Sequence, residues 1–219
     1  MTVVMCAAWP ATSLLSRLNG QARVALLGLG TPIGYRARQV VFRSGEWARH
    51  AVLLLGGVAT QVVDDVPVAV LGTGDLIEHR PRVDVVACVP LQARLIHSEQ
   101  LLRFLHRHPD ACVEVARSLA ARLHQAQLRH ADGLTCPPSV RVARVLLDVA
   151  ERFGEVPLSQ SEVSGLAGVA LRTAEKALQD MENRGLVERC YRRIVITDLP
   201  GLRVTAAPVS SGPALHASD

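Results

Sequence analysis

The stretch LSQSEVSGLAGVALRTAEKALQDM, from Leu158 to Met181, decides how the C-terminal part of this chain folds. Gly168 divides it into two segments whose apolar residues recur every three or four positions, as in amphipathic helices. Two short helices joined by a turn of three or four residues with a glycine form a helix-turn-helix. We predict one short helix opening at Ser159–Gln160 and a second over residues 171–182. Their inward residues are predicted to be Val163, Leu166 and Ala167, then Ala174, Ala177, Leu178 and Met181.

The second helix carries polar side chains opposite its predicted core. In a helix-turn-helix the first helix braces the second, whose N-terminal side enters the major groove of DNA. Arg and Lys donate there to guanine O6 and N7, and Glu accepts from the cytosine amino group. The candidate base contacts are therefore Arg172, Thr173, Glu175 and Lys176.

The residues after Gly185 have the pattern of a β-hairpin. Strands at 186–188 and 194–196 flank a basic tip at 189–193, which is the arrangement of a wing. Basic side chains at such a tip contact phosphates, fixing the register on DNA without reading its sequence. The candidate phosphate contacts are Ser159 and Gln160 at the start of the first helix, and Arg189, Arg192 and Arg193 in the wing.

The N-terminal part has the pattern of a β domain. Runs of β-branched and other apolar residues alternate with turn residues at roughly 8–12-residue intervals, as in an antiparallel sandwich or barrel. Together with the C-terminal helices this gives an α+β fold class. The predicted strands span residues 40–42, 51–55, 58–63, 66–71, 83–89 and 91–96.

A long helix is predicted between the two parts, starting at Asp110. Small and apolar residues recur there in a 4-3-4-3 spacing, the seam that two helices share when they pack side by side. Dimerisation is one interpretation of this seam, and packing of the helix on its own β domain is the other. The seam consists of Cys112, Ala116, Leu119, Leu123 and Ala126.

Turn residues set the predicted boundaries. Asp132–Gly133 and Pro137–Pro138 are predicted to end the long helix, and Ser139 to cap the next one. That helix has Val142, Val145, Leu146, Val149 and Phe153 on one face. The predicted domains are a β domain at 1–109, a dimerisation helix at 110–133, a winged helix-turn-helix at 134–203 and a disordered tail at 204–219.

Composition favours a folded protein with a hydrophobic core. Hydrophobic residues make up 49% of the chain, enough to bury a core, and the five scattered cysteines predict buried thiols in a reducing cytoplasm. No apolar run approaches the roughly 20 residues of a membrane helix, and no signal peptide is expected. The net charge of +4 is compatible with nucleic acid but is weak evidence for it.

No catalytic or metal-ligating constellation stands out in the sequence. His106 and His108 have poor spacing for a metal on one helix face. His50, His79 and His97 are interpreted as polar surface residues rather than haem ligands. We therefore expect no enzymatic activity, no metal and no cofactor.

These motifs resemble the Crp–Fnr family of bacterial transcription regulators over roughly residues 26–203. Residues 139–147 resemble the first helix of its DNA-binding half, Leu158–Val163 its L-T-Q-x-E-L stretch, and residues 168–178 its recognition helix, G-x-S-R-E-T-V-S-R-x-L. The resemblance implies a homodimer that places two recognition helices about 34 Å apart on palindromic double-stranded DNA. RNA polymerase is a candidate protein partner.

The recognition helix departs from the family pattern. Ala170 stands where the family has a capping Ser, a loss of about 1 kcal/mol. Leu171 replaces the first base-reading Arg, Arg172 replaces the following Glu, and Lys176 keeps the charge of the last Arg without its fork. We therefore expect a different half-site. The same departures support the alternative, an interaction or adaptor module that retains the fold without binding DNA.

The β domain resembles the family's cyclic-nucleotide-binding roll at Val41–Glu46, Gly57 and Gly74–Leu76. The cassette that cradles the cyclic phosphate in relatives is several residues too short here, and Asp84 would repel a phosphate. We expect a regulator that cyclic AMP does not control, with an unknown effector or none. Gly74, Glu78 and Arg82 are either remnants of that cassette or ordinary surface residues.

Overall fold

The computed structural model describes residues 9–10, 13–45, 49–78 and 82–207. The chain divides into two compact units, at residues 1–126 and 127–219. This division falls inside the long helix, whereas the sequence places boundaries at each end of it.

The first unit is a β-roll with short helices before it and longer helices after it. It consists of α1 (Leu14–Arg17), α2 (Gly20–Leu27), β1 (Thr31–Tyr35), β2 (Val40–Phe42), β3 (His50–Gly56), β4 (Val58–Val63), β5 (Val66–Gly72), β6 (Leu76–Glu78), β7 (Asp84–Ala87), β8 (Leu91–His97), α3 (Ser98–Arg107) and the start of α4 (Pro109–Thr135).

The strands form two four-stranded antiparallel sheets, in the orders β1-β8-β3-β6 and β2-β7-β4-β5. The predicted α+β class and the six predicted strands are confirmed. Strands β1 and β6 were not predicted. Pro32 and Gly34 hide the pattern of β1, and an edge strand tolerates such residues because one side of it needs no ladder partner. Strand β6 has only three residues.

Strand β3 separates two clusters of buried side chains. Because successive side chains of a strand point to opposite faces, Leu53 packs with the helices and Val52 and Leu54 pack between the sheets. The helical side of this core includes Leu101 and Phe104 of α3. The roll is thereby tied to the helices that follow it.

The second unit contains α5 (Pro138–Phe153), α6 (Gln160–Ala167), α7 (Leu171–Asn183), β9 (Val187–Cys190), β10 (Arg193–Ile196) and α8 (Leu199–Ala206). Every residue predicted to face inward on α6 and α7 is buried. On α5 the predicted face is also buried, except that Phe153 is only half-buried. The helix-turn-helix and the wing are confirmed as local structures.

Three boundary predictions are wrong. Helix α5 begins at Pro138, with Pro137 in the capping position, so Ser139 lies inside the first turn and does not cap the helix. Proline suits the first helical position, occupied by Pro138, because its φ is already helical. Asp132 and Gly133 lie within α4, where the Asp132 carboxylate accepts a hydrogen bond from Arg144. Helix α8 continues to Ala206, which is buried, so the chain does not become irregular at residue 204.

The expectation of buried thiols is also wrong for the described cysteines. Cys112 is exposed, and Cys88, Cys136 and Cys190 are half-buried. Residues 208–219, Glu46 and His79, for which there are predictions from the sequence, lie outside the described residues. In the described part of the chain, no helix combines the length and apolarity needed to cross a membrane.

Candidate nucleic-acid interface

Helix α6 is fixed at both ends by the residues that the sequence singled out. Ser159 caps its N-terminus: the Ser159 Oγ accepts from the Glu162 N–H at 3.3 Å, and the Glu162 carboxylate accepts from the Ser159 N–H at 2.7 Å. This reciprocal pair is a capping box. Gly168 ends the helix at a φ of +61°, a conformation that glycine adopts without strain. Gln160, in the first turn, is half-exposed.

A bond that the sequence did not reveal braces the turn between the two helices. The Arg141 Nη1 on α5 donates to the Gly168 carbonyl at 3.0 Å. The turn therefore has a fixed position relative to α5 as well as to α6. Periodicity gives no signal for this contact, since the two residues are 27 positions apart.

Helix α7 presents the predicted base contacts. Arg172, Glu175 and Lys176 are exposed, Thr173 is half-buried, and in the described structure neither Arg172 nor Lys176 takes part in an ion pair. Ala170 occupies the capping position without a side-chain hydrogen bond, as the sequence predicts. Leu171, the first helical residue, is 44% exposed. Two cations and an exposed apolar residue thus lie in the N-terminal half of α7.

The tip of the wing has fewer residues than the sequence predicts. Cys190 pairs with Arg193, so the tip consists of Tyr191 and Arg192. Tyr191 is 90% exposed, and the Arg192 guanidinium lies 5.9 Å from the centre of its ring. Arg193 is exposed at the start of β10. Arg189 lies in β9, away from the tip.

Arg189 is bound to α7 instead of facing solvent. Its Nε donates to the Glu182 Oε2 at 2.9 Å, and its Nη2 donates to the Gln179 Oε1. The hydrogen bonds that Arg189 donates to Glu182 from its side chain and its backbone, together with its charge, hold the pKa of Glu182 below its ordinary value. Sequence reasoning did not single out Gln179 or Glu182, because the bond joins a helix to a strand across a turn.

The three residues considered as a cassette remnant are held apart in the β-roll. Gly74 has a φ of +88°, and a Cβ there would lie 2.5 Å from the Cβ of Ser13. Arg82 is exposed and paired with Asp64 at 2.6 Å. Glu78 is exposed at the end of β6, beside a cavity of about 40 Å³ between the roll and α4.

The seam on α4 does not pack on its own β-roll. All five predicted seam residues are exposed, with Leu123 at 61%. The side of α4 that faces the roll carries Ala111, Val115 and Arg122 instead. The exposed seam favours the dimer interpretation, while α4 packs on its own roll through a neighbouring side of the helix.

Metal ligands do not converge in the described residues: nowhere do three or more His, Cys, Asp or Glu side chains come together in a way that could hold an ion. His106 and His108, whose spacing is poor for a metal site, each have a contact within the chain. The His106 ring nitrogen lies 2.9 Å from the Leu102 carbonyl, and the His108 ring packs against Phe104.

Comparison with known proteins gives matches over most of the chain. Residues 140–205 match the family described as the Crp-like helix-turn-helix domain. The chain is 23% identical to a CRP-like cAMP-activated global transcriptional regulator of Mycobacterium tuberculosis, over 76% of this chain and 84% of that protein. It is 33% identical to the HTH-type transcriptional regulator Cmr of the same organism, over 48% of this chain and 42% of that protein.

Among solved structures, FixK2 from Bradyrhizobium japonicum has a similar fold. The TM-score is 0.69 at 21% identity, and the match covers 83% of this chain and all of that one. The winged helix-turn-helix and the matching regulators define the class: this is a DNA-binding transcription regulator. Within that class, its helix-turn-helix domain is Crp-like, and the chain is similar over most of its length to a CRP-like regulator.

Proposed function

We propose that the protein regulates transcription as a homodimer that reads a palindromic double-stranded DNA site through α7. The exposed face of that helix carries the proposal. Arg172 and Lys176 are exposed cations without an ion-pair partner in the described structure, so they are available to guanine edges. Thr173 and Glu175 complete the base-reading set.

An apolar residue at the start of α7 alters the expected half-site. Leu171 offers no hydrogen bond, and leaving a base donor or acceptor unpaired against it is unfavourable. Thymine is the base whose major-groove edge carries a methyl group. We propose that Leu171 faces a thymine, which would distinguish this operator from one read by an Arg at that position.

The wing tip and the start of α6 are the proposed phosphate contacts. Arg192 and Arg193 are exposed at the hairpin, Ser159 is the N-cap of α6, and Gln160 is the first residue of that helix. Such contacts position the protein on the duplex and do not discriminate between bases. Their loss should weaken binding to every sequence to the same extent.

A second copy of the chain is the proposed occupant of the exposed seam on α4. The 27-residue helix is about 40 Å long at 1.5 Å per residue, enough for a long two-helix contact. Leu123→Asp should give a monomer in sedimentation velocity. Leu128→Asp is the matched control, because Leu128 is 45% exposed on the opposite side of the same helix. Equal effects of the two changes would contradict the seam.

Cyclic AMP is not the proposed effector. The cavity of about 40 Å³ beside Glu78 is far below the roughly 300–1,000 Å³ of ordinary ligand pockets. Arg82 already has Asp64 as its anionic partner. We expect cyclic AMP to leave the melting temperature unchanged, and a concentration-dependent rise would contradict this. RNA polymerase is the proposed protein partner at promoters.

Selection of bound fragments from random DNA tests the proposed function. We expect one enriched palindrome, whose affinity falls steeply with salt because phosphate contacts release counterions. A folded protein that enriches no sequence would instead support the interaction or adaptor module.

A further inference from the structure

Arg189 is engaged by α7 through its side chain and its main chain. Besides the hydrogen bond from its Nε, its Nη2 lies 2.7 Å from the Glu182 Oε2, and its backbone N–H donates to the Glu182 Oε1 at 2.9 Å. Gln179 adds an acceptor for the same Nη2. Both oxygens of the Glu182 carboxylate are therefore used to hold one residue of β9.

This pairing removes Arg189 from the set of free cations. The two side chains are about three-quarters buried, and their charges cancel. A DNA phosphate would have to break several charge-assisted hydrogen bonds to capture the guanidinium, and these are about twice as strong as neutral ones. Arg192 and Arg193 have no such partner in the described structure and stay exposed.

The acceptors on α7 continue the row of the base-reading candidates. Arg172, Lys176 and Gln179 are spaced four and three residues apart, so they lie along one side of the helix. Gln179 is itself oriented by a hydrogen bond from its Nε2 to the Asn183 Oδ1 at 2.9 Å. The wing is thus attached to the same helix face that carries the proposed base contacts.

We propose that Arg189 is a positioning residue, which fixes the wing to α7 so that Arg192 meets a phosphate while α7 lies in the groove. This inference rests on the proposed function. A two-stranded hairpin is marginally stable on its own, and in this wing the second strand is held by a bridge between Ile194 and Val156. A bond from its first strand to α7 orders it before DNA arrives, so binding does not have to order it.

Conservative substitution separates positioning from direct contact. Lysine serves a phosphate as a point charge, but it cannot reproduce the fork that Arg189 places on Glu182 and Gln179. We expect Arg189→Lys to weaken binding to the selected DNA by about five- to thirtyfold. Arg203→Lys on α8 is the control: it makes the same exchange at an arginine that pairs with Glu151 outside the proposed interface, and it should bind within about twofold of the wild type. Equal, small effects of both changes would overturn the proposal.

Removing the charge of Glu182 gives a sharper test, because a phosphate-contact role and a positioning role of Arg189 predict opposite changes in DNA affinity. Glu182→Gln deletes a negative charge and releases Arg189. If Arg189 contacted phosphate, Glu182→Gln would bind DNA more tightly. The control, Glu188→Gln, makes the same charge change at an exposed position of β9 and should itself bind DNA more tightly. With Arg189 as a positioning residue, Glu182→Gln weakens binding about as much as Arg189→Lys does.

A double-mutant cycle with the tip completes the experiment. Once Arg189→Lys has released the wing, adding Arg192→Ala should weaken DNA binding little further. If the two residues contacted DNA independently, the losses of affinity of the two single variants would multiply in the double variant. Circular dichroism on each variant checks that the fold is retained. Wild-type protein that binds no specific DNA would overturn the proposed function and this role together. Wild-type binding with an additive cycle would overturn the role of Arg189 alone.

Discussion

The guanidinium of Arg122 on α4 donates to the carboxylate of Asp75 at 3.1 Å and to the carbonyl of Leu76 at 3.2 Å. Asp75 is buried in the turn before β6, where it also accepts from the Gly72 N–H at 2.8 Å. One ion pair therefore joins the β-roll to the helix that carries the exposed seam. Leu119, a seam residue, lies one turn before Arg122 on the same helix.

Asp75→Asn should lower the free energy of unfolding by about 1–3 kcal/mol, since it leaves a partly buried guanidinium without its counter-charge. Urea denaturation measures this loss. Asp64→Asn is the control: its partner Arg82 is exposed, so its pair should contribute less than about 1 kcal/mol. If the two changes cost the same, the pair on α4 has no special role.

Gly74→Ala should destabilise the β-roll more than Gly45→Ala does. Both glycines have a φ above +80°, so both substitutions carry about 1–2 kcal/mol of backbone strain. Only the first would place a Cβ 2.5 Å from Ser13, while the second meets nothing within 4 Å. Thermal unfolding of the two variants isolates the contact. A smaller loss for Gly74→Ala would show that Ser13 moves away freely.

Ala170→Ser should stabilise the second unit by about 1 kcal/mol, because the backbone at Ala170 is extended and its side chain provides no cap for α7. Ser159→Ala should have the opposite effect by a similar amount, since it removes the capping box of α6. Chemical denaturation of both variants checks the two signs. A destabilising Ala170→Ser would mean that the new hydroxyl does not reach the helix N–H groups.

Arg172→Ala and Arg192→Ala should affect DNA binding in different ways. The first should relax base preference at one position of the selected site, a loss of about 1–3 kcal/mol of discrimination. The second should weaken all sequences alike and reduce the salt dependence by about one phosphate contact. Affinities for the selected site and its single-base variants, measured at several salt concentrations, separate the two. Uniform weakening by Arg172→Ala would remove it from the base-reading set.

Arg189→Gln should raise the pKa of Glu182 toward its ordinary value, because the hydrogen bonds from Arg189 are the main cause of the lowered pKa. A lowered pKa in the folded state means that the pair stabilises the protein above the ordinary carboxyl pKa. That stabilisation is lost as the pH falls through the lowered value. Carboxyl NMR titration measures the change, and Arg192→Gln should leave the pKa low. An unchanged pKa in Arg189→Gln would contradict the pairing.

The helix-turn-helix and the wing could be predicted from the sequence because their signals are local. The spacing of Val163, Leu166, Ala174 and Leu178 indicates which side of each helix is buried. Gly168 indicates where the chain turns. The face that remains, with Arg172 and Lys176, follows from the same periodicity. Six of the eight strands of the roll followed from turn residues at regular intervals.

Tertiary structure decided which side chains meet, because a pattern along the chain reports burial and not partners. Arg189 has the composition of a phosphate contact, yet the fold gives it Glu182. Gly74 resembles a cassette residue, yet the approach of Ser13 from 61 positions away requires a glycine there. The Arg122–Asp75 pair joins residues 47 positions apart. Periodicity extends over one helix or strand, so contacts at such separations are fixed only when the elements pack.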